Sequence, residues 1–245
     1  GGVEIVVEEL ASRMVKTGNE VTCFNRNGKG CVSQKYGKRY NFNGIEVKTV
    51  PTIDKKGMAA VTAAFFSSVM AAFGKYDIVH IHAEGPAFFS WIPKLFHKKI
   101  VVTVHGLDWQ REKWKGGFGA KFIRKGEENA VKYADEIIVL SKNVEQYFKT
   151  RYNRITRFIP NGVNRPTIRK ADRIRSVYGL EKNGYILFLG RLVPEKGIMY
   201  LIEAFSKVNT DLKLVIAGGS SDTDEYEKEL RMKAEKDSRI LFTGF

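Results

Sequence analysis

The chain has 245 residues, 43% hydrophobic and 28% charged, with a net charge of +14. That balance describes a folded globular protein of one large or two modest domains, and it excludes a disordered class. Two cysteines, Cys23 and Cys31, suggest no disulfide framework, lack zinc-site company and point to a reducing cytosol.

Taken in chain order, the sequence alternates between two hydrophobic periods. A helix is expected over residues 3–17, then strands over 21–25 and 45–50, a helix over 58–73 and a strand over 78–82. A helix over 88–96, a strand over 100–105, a helix over 122–134, a strand over 136–140, a helix over 142–150 and a short strand over 156–159 follow. After Pro160-Asn161-Gly162-Val163, a turn signal behind a strand, residues 164–183 are polar and charge-rich. Beyond them come strands over 185–189, 212–217 and 240–243, with helices over 198–208 and 224–236. This alternation predicts an α/β fold of parallel sheets with helices on both faces. Residues 1–163 read as one domain and 164–245 as the start of a second. The first opens directly into a helix with no strand before it, and the second is too short for a complete doubly wound sheet.

The apolar helix over 58–73 falls short of the roughly 20 residues that cross a bilayer, so a buried crossover helix is expected. Charge is unevenly spread. Residues 1–160 carry 26 Lys and Arg against 15 Asp and Glu, a net +11, whereas residues 161–245 carry 15 against 12. Nucleic acid, anionic lipid, anionic small molecules and a merely solvated surface all fit a basic half. The absence of any helix-turn-helix, RNP strand or zinc finger argues against nucleic acid. Residues 111–125 interleave Arg111, Lys113, Lys115, Lys121, Arg124 and Lys125 with Trp114, Phe118 and Phe122. That mixture suits a headgroup-level contact and equally suits a basic loop.

The richest segment is Tyr185-Ile-Leu-Phe-Leu-Gly-Arg-Leu-Val-Pro-Glu-Lys-Gly-Ile198. Five apolar residues fit a buried parallel strand, Gly190 breaks it, and Arg191 and Lys196 stand in the turn before a helix that begins at Ile198. Unpaired amides at the helix start and two cations suit an anion, although a plain strand–helix turn with solvated cations has the same pattern. Neither a P-loop nor a Gly-x-Gly-x-x-Gly fingerprint occurs. A serine nucleophile elbow is absent too.

Ligands of open parallel sheets sit beyond the carboxyl ends of the strands, where His82, His105, Ser141 and Gly190 fall. His105 closes an apolar strand; it can donate to a sugar hydroxyl or phosphate, or serve the fold alone. His80, His82 and Glu84 alternate with metal-ligand chemistry, a weak signal because the strand should end near Ala83.

Several pieces occur in one order: Gly1-Gly2-Val3-Glu4, Asp77-Ile-Val-His-Ile-His82, Thr103-Val-His105, Ser141, Pro160-Asn-Gly-Val163, Gly190-Arg-Leu-Val-Pro-Glu-Lys-Gly197 and Ala217-Gly-Gly219. Together they resemble a retaining, family 4-type glycosyltransferase of the GT-B fold. His105-Gly-Leu-Asp-Trp-Gln-Arg-Glu-Lys-Trp114 looks like members that build bacterial surface polysaccharides. The resemblance implies two Rossmann-like domains facing a cleft, the N-terminal one taking a saccharide or lipid-linked acceptor and the C-terminal one a nucleotide-diphosphate sugar. It implies transfer with retention and neither metal nor further cofactor, in the cytoplasm or peripherally on the inner face of its membrane. Arg191, Lys196 and Gly190 would hold the donor diphosphate, Gly1 and Gly2 would approach it, and His105 would meet the reacting sugar. His82, Asp108, Ser141 and Asn161 are expected on the sugar and acceptor side. The family's later Glu, seven residues, Glu motif would follow Phe245, so the chain is expected to be a fragment of a longer enzyme. The alternatives are a non-catalytic nucleotide-binding or interaction module and, disfavoured by the missing fingerprint, an oxidoreductase.

Overall fold

A computed structural model describes residues 2–28, 37–55, 57–110, 117–220 and 224–244, and the chain divides into two units, residues 1–163 and 164–245. The first unit opens with the helix Gly2–Lys16, whose buried Ala11 packs on Ile45 and Val47. Strand β1 (Thr22–Arg26) runs parallel to β3 (Ile45–Val50), and β2 (Arg39–Phe42) lies antiparallel on the other side of β3. Strand β2 is a correction to the sequence reading: Arg39-Tyr-Asn-Phe42 alternates polar and aromatic residues but is only four residues long. Its signal is Asn43-Gly44, a two-residue turn with φ of 52° and 84° that closes a hairpin.

After the helix Met58–Phe73 comes a fully parallel sheet in the order β4 (Ile78–His82), β5 (Lys99–Val104), β6 (Glu136–Val139), β7 (Arg157–Phe158). Ile100, Val102, Val104, Ile137, Val139 and Phe148 are almost wholly buried and form its core. The expected helix over 88–96 is two short ones, Glu84–Ala87 and Trp91–Leu95, joined by tight turns. Pro86 and Pro93 have no amide proton, so one unbroken helical ladder cannot run through the segment. The helix Phe118–Tyr133 starts earlier than its apolar period suggests, and Lys142–Tyr152 ends in a left-handed Asn153.

In the second unit β8 (Tyr185–Leu189), β9 (Lys213–Ala217) and β10 (Ile240–Gly244) are parallel in the order β10-β9-β8. Leu192, Ile198, Ile202, Phe205, Leu214, Ile216 and Leu230 make its core, from the helices Ile198–Phe205 and Asp224–Ala234 and the strands between. Strand β8 is not buried as its sequence suggests: Leu187 is 50% and Leu189 76% exposed. Leu187 and Leu189 share the face opposite Phe188, which packs on the core. The charge-rich stretch also contains a short helix, Asp172–Tyr178, capped by left-handed Gly179. No helix of the described residues is long and apolar enough to cross a membrane.

In the first unit the helix Phe118–Tyr133 passes close to the short helix Glu84–Ala87 that follows the carboxyl end of β4. A Cβ on Gly126 would stand 1.9 Å from the carbonyl oxygen of Glu84. Alanine is the better helix former. Gly126→Ala is nevertheless expected to lower the urea midpoint by an amount equivalent to roughly 1–3 kcal/mol, because the helix must move off that backbone. An unchanged midpoint would show that the contact is not tight.

Candidate functional site

In the first unit the carboxyl ends of β4 and β5 bring His82 and His105 together. His82 Nδ1 and His105 Nε2 are 3.1 Å apart, so one ring donates its N–H and the other accepts. His80, two residues back on the same face, stacks on His82 with centroids 4.3 Å apart and meets Thr103 Oγ1 at 2.8 Å. Burial holds all three imidazoles below their ordinary range, His80 at about 4 and His82 at about 3. For His105 the carboxylate of Asp108 pulls the other way.

The chain turns sharply after His82. Ala83 has φ 80° and ψ 158°, a region that nearly only glycine occupies, and its amide donates to Thr103 O at 2.9 Å. This kink breaks the alternation, so Glu84 does not join the histidines. Its fully buried carboxyl points inward, with Oε2 accepting the Asp108 amide at 2.9 Å. Glu127, also fully buried, stands in hydrogen-bonding contact with it. Glu127 accepts the Trp109 indole N–H at 3.0 Å, the Tyr147 hydroxyl at 2.8 Å and the Tyr152 hydroxyl. Burial first, then Glu127, pushes the Glu84 carboxyl up to about 9. Among the described residues no group of three His, Cys, Asp or Glu side chains is arranged to hold a metal.

The other expected residues are spread along the strand ends. Ser141 caps the helix Lys142–Tyr152, its Oγ accepting the Val144 amide at 3.3 Å. Asn161 is exposed beyond β7, Gly2 starts the first helix, and Gly1 lies outside the described residues. Asp108 opens a single turn of 3-10 helix. Of the cluster over 111–125, residues 111–116 lie outside the described residues too; Phe118 is 84% exposed.

In the second unit the glycine turns after β8 and β9 touch. A Cβ on Gly218, whose φ is 141°, would stand 1.8 Å from the carbonyl oxygen of Gly190. Gly190 N donates to Ala217 O and Leu192 N to Gly219 O, both at 3.0 Å. The turn continues through a 3-10 segment, Pro194–Lys196, and left-handed Gly197 into the helix Ile198–Phe205. Arg191 and Lys196 are exposed on it, and neither forms an ion pair with another described residue. An open helix start and two cations without an ion pair among the described residues are thus gathered at one strand end, which favours an anion.

Residues 1–165 match the family model for Glycosyltransferase Family 4, and residues 170–245 that for Glycosyl transferases group 1. The chain belongs to glycosyltransferase family 4. An uncharacterized glycosyltransferase of Methanocaldococcus jannaschii is 26% identical over all of this chain and 66% of its own length. Alpha-maltose-1-phosphate synthase of Mycobacterium tuberculosis is 26% identical over 71% of this chain and 49% of the enzyme. The chain therefore spans about half to two thirds of the length of these relatives. The fold is that of GT-B glycosyltransferases. HepE of Anabaena, solved with UDP and glucose, superposes with a TM-score of 0.73 at 18% identity, covering all of this chain and 66% of that one. WaaG, a glycosyltransferase involved in lipopolysaccharide biosynthesis, gives 0.63 at 12% identity over the same shares.

This family-4 glycosyltransferase chain buries one carboxyl beside the candidate site that reading the sequence missed, that of Glu127. The signal was present: Ile123, Gly126, Glu127 and Ala130 all lie on the buried stripe of one helix, so a carboxylate sits where the period demands an apolar residue.

The histidine cluster makes an acid-side prediction. His80 and His82 are neutral when folded, so their stabilising contribution is complete above about 6.5 and is lost as pH falls through about 4 and about 3. Thermal melts should lose stability on acidification below pH 6.5, and His82→Asn should flatten that loss. An identical slope in wild type and variant would remove burial of His82 as its cause.

Proposed function

We propose that the intact protein transfers a sugar from a nucleotide-diphosphate sugar to a saccharide or lipid-linked acceptor, with retention of anomeric configuration. The observation that carries this reading is the gathering of Gly190, Arg191 and Lys196 at a glycine-tight strand end in a chain of glycosyltransferase family 4. In the transfer, the bond from the anomeric carbon to the diphosphate breaks, a bond to the acceptor oxygen forms, and the acceptor proton is released. Negative charge grows on the departing diphosphate. Arg191 can chelate two of its oxygens and Lys196 adds a point charge, so the protein's contribution is electrostatic rather than covalent.

His105 is the group proposed to meet the sugar. Burial disfavours its charged form, and it is tied through its Nε2 to His82, so Nδ1, unbonded among the described residues, can face a hydroxyl. HepE, with UDP and glucose bound, makes uridine-linked hexoses the first donors to try. Retention, a metal-independent reaction and a place in cell-surface polysaccharide synthesis rest on the sequence resemblance. A nucleotide-sugar panel scored by release of nucleoside diphosphate tests the reading, and tight nucleotide binding without turnover would favour the binding-module alternative. Arg191→Ala and Lys196→Ala are each expected to cut turnover roughly a hundredfold. Near-normal rates in both would remove the phosphate clamp.

We extend the proposal to peripheral attachment at the cytoplasmic face of a membrane, on the strength of the net +11 over residues 1–160. Binding to anionic liposomes should exceed binding to neutral ones at low salt and weaken as salt is raised. Equal binding to both would count against it.

A further inference from the structure

A fully buried pair of acids in the first unit takes no part in the donor chemistry proposed above. Glu84 and Glu127 are both 0% exposed, and their carboxyls bond neighbouring residues, Asp108 and Trp109. The described groups that bond the two carboxyls come from three segments. The helix Phe118–Tyr133 supplies Glu127 itself, and the 105–110 segment supplies Asp108 and Trp109. Tyr147 and Tyr152 come from the helix Lys142–Tyr152. Among the described residues the cations that touch these donors are peripheral: Arg151 reaches the hydroxyl of Tyr152, and Arg124 lies over the Trp109 ring at 4.9 Å. Every described hydrogen bond to the two carboxyls comes from an uncharged donor.

Two ionised carboxylates in this setting would be buried like charges with no cation bonded to either among the described residues. The donors are divided unequally. Glu127 accepts three, and a carboxylate is the form that such donors favour. Glu84 accepts only the Asp108 amide, and its Oε1 is buried and meets no donor. A proton on Glu84 answers both facts, since it removes one charge and gives Glu127 a fourth donor. The two acids also grip the same short segment. Glu84 holds its backbone at Asp108, Glu127 holds its side chain at Trp109, and His105 stands three residues before the first grip.

We propose that Glu84 and Glu127 share one proton, with Glu84 the neutral acid and Glu127 the carboxylate, and that the pair positions the 105–110 segment that presents His105. The role of His105 in transfer rests on the function proposed above; the proton and the grip do not.

The test uses the intact protein and readouts that need no sugar transfer. Infrared difference spectra of wild type against Glu84→Gln at neutral pH should show the C=O stretch of a protonated carboxyl in wild type alone. Amide hydrogen exchange then reads the grip. Glu84→Gln keeps an acceptor for Asp108 and a donor toward Glu127, so protection over 106–110 should stay within about threefold of wild type. Glu127→Gln removes the carboxylate that three donors require, and protection there should fall about tenfold or more while the amides of β5 stay protected. Corrected for intrinsic exchange, wild-type protection should drop as pH passes about 9, and Glu84→Gln should abolish that step. Should Glu127→Gln fail to fold, Trp109→Phe removes one grip without touching the pair and should loosen 106–110 alone. A pair that merely fills space responds alike to both isosteric changes. The absence of the carboxyl band in wild type, equal effects of the two glutamine variants, or an alkaline step that survives Glu84→Gln would each overturn the proposal. If these readouts hold and the protein transfers no sugar, the function proposed above fails while the pair stands.

Discussion

The end of β4 has to satisfy two opposite demands within three residues, and much of the first unit follows from how it does so. His82 must stay at the strand end beside His105, and Glu84 must enter the interior. An extended chain cannot place the two so, because alternate residues share a face. Ala83 resolves the conflict with a backbone conformation that costs about 1–3 kcal/mol and is steadied by its bond to Thr103 of the neighbouring strand. The partners of Glu84, the seat of Trp109 and the approach of Gly126 are arranged around that single kink.

The second unit meets its own constraint with glycine instead. Gly190 and Gly218 lie against each other, so the ends of β8 and β9 approach more closely than any side chain would permit. The amides of Gly190 and Leu192 are spent on β9 and on Gly219, which fixes the turn before any ligand arrives. Arg191 and Lys196 are then presented from a rigid base. A preorganised base matters for electrostatic work, since cations that must first be gathered lose part of their effect.

The parallel architecture was legible because buried strands such as Ile100–Val104 announce themselves as apolar runs, and because Gly190, Gly197 and Pro160-Asn-Gly mark the turns between elements. The strand ends were legible for the same reason, which is how His82, His105 and Arg191 could be named. Three things were hidden. The hairpin strand Arg39–Phe42 is only four residues long, with Tyr40 and Phe42 on one face, and Asn43-Gly44 is its clearest signal. The break in the helix over 88–96 needed the proline positions weighed above the aromatic period. The Glu84–Glu127 contact joins residues 43 apart, and only the kink at Ala83 brings their carboxyls together. Local periodicity has no access to such a pairing.

The close pass of Gly126 over Glu84 has a consequence for inheritance. Every other amino acid carries a Cβ, and a Cβ at this position meets backbone rather than a side chain that could swing aside. No missense change of that codon is therefore neutral by itself. A lineage could leave glycine there only by first moving the Glu84–Ala87 helix beneath it, which the kink at Ala83 joins to His82. The two positions are bound to a shared history, so divergence at one should be found with a rebuilt turn at the other.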